Sequence, residues 1–137
     1  MASADRCDPL SSAFFASPDA SRIRGRRFLY VDDDSLLRQL VDRVLHDVGA
    51  ICLPAATHDE AVQIAGAEPE LAAGILDFQM PDGDVGQLVK QLRAARVGLP
   101  LIGTSGADRR HDFAERGVTR FLGKPWQPGD LVRALDG

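Results

Sequence analysis

Cysteine is scarce in this chain, and so is any surplus of positive charge. Cys7 and Cys52 are its two thiols, too few and too far apart for a disulfide framework or a zinc site. Cys52 lies in an apolar run and reads as a small core residue, so a reducing cytosol is the simplest setting. Lys and Arg number 16 against 20 Asp and Glu, a net charge of −4 that argues against a dedicated nucleic-acid binder. The one basic run, Arg22, Arg24, Arg26 and Arg27, reads as a solvated linker. No stretch approaches ~18 apolar residues, which speaks against membrane insertion. The opening Met-Ala-Ser-Ala-Asp lacks the basic and apolar regions of a secretory signal, so a cytoplasmic protein is expected. No HEXXH, GXSXG, Walker or GXGXXG pattern occurs. The histidines His46, His58 and His111 are scattered and read as surface or partly buried residues.

What is present begins at residue 26. Residues 1–25 are rich in Ala, Ser, Asp and Pro and show no periodicity beyond the pair Phe14-Phe15, so a mobile tail is expected. Phe28 to Val31 then forms a short apolar run suited to a strand buried on both faces. Leu36, Leu37, Leu40, Val41, Val44, Leu45 and Val48 follow helical spacing, with Asp34 or Ser35 as N-cap and Gly49 as the stop. Ile51 to Leu53 reads as a second strand. Thr57 with Glu60 makes a capping-box pattern ahead of a short helix through Ala65. Ala73 to Leu76, Leu99 to Thr104 and Val118 to Leu122 read as three further strands. Helices are expected over Val85 to Ala95, capped by Asp84, over Arg109 to Arg116, and briefly over Asp130 to Leu135.

Apolar strands alternating with helices over short links imply an α/β domain at residues 26–137, a doubly wound five-stranded parallel sheet covered on both faces. Ligands of such folds sit beyond the carboxyl ends of the strands. Polar residues stand at those ends here: Asp32 and Asp33 after the first strand, Asp77 after the third, Ser105 after the fourth and Lys124 after the fifth. Three carboxylates with a hydroxyl and an ammonium make an oxygen-rich pocket suited to a hard cation such as Mg²⁺. Mutual repulsion among the acids would be relieved by that cation and by Lys124. An Asp in such a site can attack phosphorus and form an aspartyl phosphate, its three equatorial oxygens facing the metal, Lys124 and Ser105.

The segments "LYVDDDS", "ILDFQMPDGDVG", "PLIGTSG" and "FLGKPW" resemble those of the receiver domain of two-component response regulators, a flavodoxin-like or CheY-like fold. The 44-residue separation of Asp33 from Asp77 matches that family's usual one. The resemblance implies Asp77 as phosphoacceptor, Asp32 and Asp33 as the acidic pair handling Mg²⁺, and the Gln79 backbone carbonyl as a further ligand. It makes Ser105 the hydroxyl switch residue, Lys124 the phosphoryl-binding lysine before a cis Pro125, and Phe121 the aromatic switch. Asp34, the surplus acid, reads as a helix cap. The implied protein is not a classical enzyme: it catalyses only its own phosphorylation and dephosphorylation. Its implied partners are a histidine kinase or histidine phosphotransfer protein and a downstream protein target.

Three departures from the family pattern accompany the match. The chain from Ser105 to Lys124 is about three residues shorter than is common, so the fourth helix should be truncated. The last helix should be brief. Gly103 and Gly106 flank Thr104-Ser105 where an apolar residue and Ala are more usual, which points to a mobile loop. Other readings are a phospho-independent interaction module of the same fold, or a fragment of a larger regulator or hybrid kinase. A haloacid-dehalogenase-type phosphatase is a third, disfavoured because Gln79 stands where that family has a second Asp.

Overall fold

The computed structural model describes residues 20–136. The expected tail at 1–19, with Phe14-Phe15 and Cys7, lies outside the described residues. Five strands form one all-parallel sheet in the order β2-β1-β3-β4-β5. They are β1 (Arg27–Val31), β2 (Ile51–Ala55), β3 (Leu71–Asp77), β4 (Leu101–Ser105) and β5 (Arg120–Gly123). Between and after them run α1 (Ser35–Asp47), α2 (His58–Ala67), α3 (Val85–Ala95), α4 (Arg110–Glu115) and α5 (Pro128–Asp136). This is the doubly wound flavodoxin-like architecture.

Strand periodicity explains the two cores. Phe28 and Tyr30 of β1 point to one face, with Val41, Val44 and Leu45 of α1 and Leu131, Val132 and Leu135 of α5. Leu29 and Val31 point to the other, with Val85, Leu88 and Leu92 of α3 and Phe113 of α4. A strand covered on both faces has no room for a polar alternate, which is why Phe28–Val31 reads as an unbroken apolar run.

Local chemistry sets the boundaries. Asp34 is the N-cap of α1, its Oδ1 accepting from Leu36 N at 2.9 Å. Gly49 closes the helix at φ +83°, a conformation that favours glycine. Thr57 Oγ1 accepts from Glu60 N, and the Glu60 carboxylate returns the favour to Ala56 N. Asp84 caps α3 through Gly86 N at 2.6 Å and also holds Arg116 Nε at 2.8 Å and Nη2 at 3.0 Å. The Arg116 bonds and that amide pull its carboxyl down to about 2. Asp84→Ala should therefore lower stability by ~1–2 kcal/mol, most of it the lost cap. Chemical denaturation at pH 7 would check this, and the difference should shrink as pH falls through about 2, where the carboxylate protonates.

Several strand ends lie about two residues from their expected places, β4 and β5 beginning at Leu101 and Arg120 rather than at Leu99 and Val118, and the chain departs from the sequence reading at both ends of the domain as well. Residues 20–25 are not part of a tail: Ala20–Arg22 is a 3₁₀ turn, and Ile23 is fully buried in the α1/α5 core. A single apolar residue among arginines carries no periodic signal, so nothing local announced it. The last helix starts at Pro128, two residues ahead of Asp130, because proline suits a first helical turn whose N–H groups have no partner.

Candidate functional site

Three β-strand ends bring the acids and the lysine together. Asp32 follows β1, and its N–H donates to Ala55 O at 3.1 Å, which seats it at the rim of the sheet. Asp77 ends β3 in register with Thr104. Lys124 follows β5, its N–H donating to Ser105 O at 2.9 Å, so the lysine and the β4 end are tied through backbone. Lys124 Nζ then donates to Asp32 Oδ2 at 3.0 Å and Asp77 Oδ1 at 3.2 Å. Oxygens of Asp32, Asp33 and Asp77 lie within 4.8 Å of one another.

Burial differs sharply across the trio. Asp32 and Asp77 are buried, at 1% and 5% exposure, while Asp33 faces solvent. One ammonium thus serves two buried carboxylates. Burial and the neighbouring Asp32 charge push Asp77 up to about 6, and Lys124 only partly opposes them. Burial also works against the Lys124 ammonium, yet its hydrogen bond to Asp32 and the charges of Asp77 and Asp32 hold its pKa above the ordinary value. The two directions are compatible: the lysine stays charged, and Asp77 is the carboxylate left short of compensation.

The remaining expected residues surround this centre. Ser105 is buried at the end of β4, where its Oγ accepts from Ala107 N at 3.2 Å. Gln79 and Asp33 line one open cleft beside the acids, together with Met80 and Pro81. The Lys124–Pro125 peptide is cis. Phe121 is half-buried, with its ring 6.0 Å from that of Phe113 and the Arg110 guanidinium 5.3 Å from its centroid.

Three features were not foreseen. Gly103 is no source of looseness: a β-carbon there would meet the Phe113 ring at 2.5 Å, so the glycine is the hollow that receives this ring. His58 is buried and close to Asp82, with its Nε2 3.9 Å from Oδ1. Tyr30 and Arg38 both hold Asp32, the first through its hydroxyl to Oδ2 at 2.6 Å and the second through Nη1 to the backbone carbonyl at 2.8 Å. The Tyr30 contact had a usable signal. Residues two apart on a strand share a face, and Tyr30 stands two before Asp32.

Residues 28–136 match the family model described as the response regulator receiver domain. The chain is 33% identical over 102 residues to the two-component response regulator ARR22 of Arabidopsis thaliana, covering 71% of this chain and 72% of that protein. It is 29% identical over 116 residues to the phosphate regulon transcriptional regulatory protein PhoB of Escherichia coli, covering 80% of this chain and 50% of PhoB. Among solved structures it superposes on the chemotaxis protein CheY4 of Vibrio cholerae with a TM-score of 0.74 at 27% identity, covering 81% of this chain and 96% of that one. The chain therefore belongs to the receiver domain family of two-component response regulators, which is a signalling module rather than a classical enzyme. It spans about half the length of curated relatives such as PhoB. No helix among the described residues is long and apolar enough to cross a membrane.

Receiver domains generally bind Mg²⁺ at an acidic pocket, and the donors here fit that ion. All three side chains offer carboxylate oxygens, and their spacing suits a shared hard cation.

Proposed function

We propose that this chain accepts one phosphoryl group on Asp77 from a histidine kinase or a histidine phosphotransfer protein and thereby changes the surface it offers to a downstream protein. The observation that carries the reading is Lys124 Nζ bonded to both Asp32 and Asp77 while Asp33 lies beside them. A site built only for structure has little reason to gather three acids around one ammonium.

In this reading an Asp77 oxygen attacks phosphorus, the P–N bond of the donor phosphohistidine breaks, and the departing imidazole keeps the electron pair and gains a proton. Asp32, Asp33, Asp77 and the Gln79 carbonyl would hold Mg²⁺, which supplies a charge that offsets repulsion between carboxylate and phosphoryl oxygens. Lys124 would turn one of its hydrogen bonds to a phosphoryl oxygen, and the Ser105 hydroxyl would leave Ala107 N for another. The switch would then pass to the surface formed by α4, β5 and α5, with Phe121 as its aromatic member. A swing between 1:99 and 99:1 needs ~5.5 kcal/mol. One hydrogen bond to a charged group supplies ~1.5–3 kcal/mol, so Lys124, Ser105 and the metal must act together. The unit carrying this function would begin near residue 20 rather than 26, given the buried Ile23.

Incubation with Mg²⁺ and a small phosphodonor should raise the intact mass by one phosphate, and a chelator should prevent it. A mass unchanged under both conditions would end this reading.

A further inference from the structure

Asp32 carries more hydrogen bonds than a metal-handling acid needs. Its Oδ1 accepts from Asp34 N at 3.0 Å. Its Oδ2 accepts from Lys124 Nζ at 3.0 Å and from the Tyr30 hydroxyl at 2.6 Å. The two side-chain donors come from different strands and differ in freedom. Lys124 reaches in from the end of β5 on a flexible stem that also touches Asp77. Tyr30 is fully buried, its ring packed in the α1/α5 core, so its hydroxyl has one place to be. A phenol is protonated at neutral pH, so the hydroxyl at 2.6 Å from Oδ2 is a donor there.

That asymmetry matters once Lys124 is asked to move. A buried carboxylate that loses a charged partner is strongly destabilised unless another donor remains. Asp32 is 1% exposed and has little access to bulk water as a replacement, and the Mg²⁺ it would hold is shared with Asp33 and Asp77. We propose that Tyr30 is a positioning residue of this site: its hydroxyl stays on Asp32 Oδ2 while Lys124 transfers a hydrogen bond to the phosphoryl group on Asp77. The tyrosine thus makes the lysine releasable, and by occupying Oδ2 it also weakens Asp32 as a metal ligand. This role rests on the receiver reading above, and a tyrosine that merely fills space would have neither consequence.

Tyr30→Phe keeps the ring and removes only the hydroxyl. Calorimetric titration with Mg²⁺ should show the variant binding about tenfold more tightly than wild type, because the cation replaces a donor to a charged group. Phosphate uptake from a small phosphodonor should instead slow about tenfold, because Lys124 is now the sole side-chain donor to Asp32 among the described residues. Lost packing would weaken both, so the opposite signs are diagnostic. The chain contains one tyrosine, so its phenol band in ultraviolet resonance Raman is unambiguous. In wild type that band should keep the signature of a strong donor when Mg²⁺ and beryllofluoride are added. Unchanged or weaker Mg²⁺ binding by Tyr30→Phe would overturn the proposal, as would a phenol band that relaxes to that of a free hydroxyl. Should the variant fail to fold, the wild-type band alone decides. Wild-type protein that takes up no phosphate would sink the receiver reading, while the metal titration and the phenol band still judge the tyrosine.

Discussion

Asp77→Asn is expected to take up no phosphate and, in metal-free buffer at pH 7, to melt several degrees above the wild-type chain. The two effects have one cause. Asp77 is buried beside Asp32 and must share Lys124 with it, so its carboxyl sits at about 6 instead of 3.8. An acid whose folded pKa is raised destabilises the fold wherever it is ionised. Between about 4 and 6 the native state holds the proton more firmly than the unfolded chain, so stability falls as pH rises through that window. A shift of about two units corresponds to ~3 kcal/mol at most. That shift already contains the opposing pull of Lys124, and burying the amide of the new asparagine offsets part of it, leaving a net gain of ~1–2 kcal/mol in the variant. For a domain of this size that is ~3–8 °C in melting temperature.

Melting curves with a chelator at pH 4, 5, 6 and 7 would test it. The advantage of Asp77→Asn should be absent at pH 4, where the wild-type acid is neutral too, and should grow to a plateau above pH 6. Adding Mg²⁺ should then reverse the order, since the cation stabilises only the chain that binds it well. A variant that melts below wild type at pH 7 without metal would refute this account of the site's electrostatics. Mass spectrometry after phosphodonor treatment supplies the other half, and any phosphate retained by Asp77→Asn would move the acceptor elsewhere.

Much of this site was legible because its parts are local. An acid at the end of an apolar run, or a lysine ahead of a proline, is visible within a few residues. The fold then does the gathering, since parallel strands deliver all their carboxyl ends to one edge. Helix α3 was bounded correctly because Asp84 and the Leu88, Val89, Leu92 stripe are both short-range signals. What stayed hidden depends on what a side chain meets once the chain is folded. Ile23 is core only because α5 folds back over it, and a lone isoleucine among arginines has no pattern to betray it. Tyr30 looked like one more apolar strand residue although Asp32, two positions on, shares its face and takes its hydroxyl. Gly103 looked like a source of mobility because a glycine gives no hint of what fills the space it leaves. Ten positions on, Phe113 supplies the answer.

Phe113→Ala is expected to lower stability by ~3–5 kcal/mol, the usual range for emptying a fully buried phenylalanine site. Phe113 is 0% exposed, seated over Gly103, with its ring 5.4 Å from Phe78 at 73° and 6.0 Å from Phe121. Helix α4 depends on this one anchor more than a longer helix would. It has six residues, and Arg109 at its start makes no side-chain capping bond. So short a helix does not persist without tertiary packing. Urea denaturation should therefore show the global loss, and amide exchange should show residues 110–117 losing protection first. Gly103→Ala attacks the same contact from the other side and should cost ~1–3 kcal/mol, since the new methyl must push a ring already hemmed in by Phe78 and Phe121. Combining the two substitutions separates this account from a general weakening of β4. With the ring gone the alanine methyl has room, so the double variant should be no less stable than Phe113→Ala alone. A strictly additive double variant would mean that Gly103 and Phe113 do not meet as described.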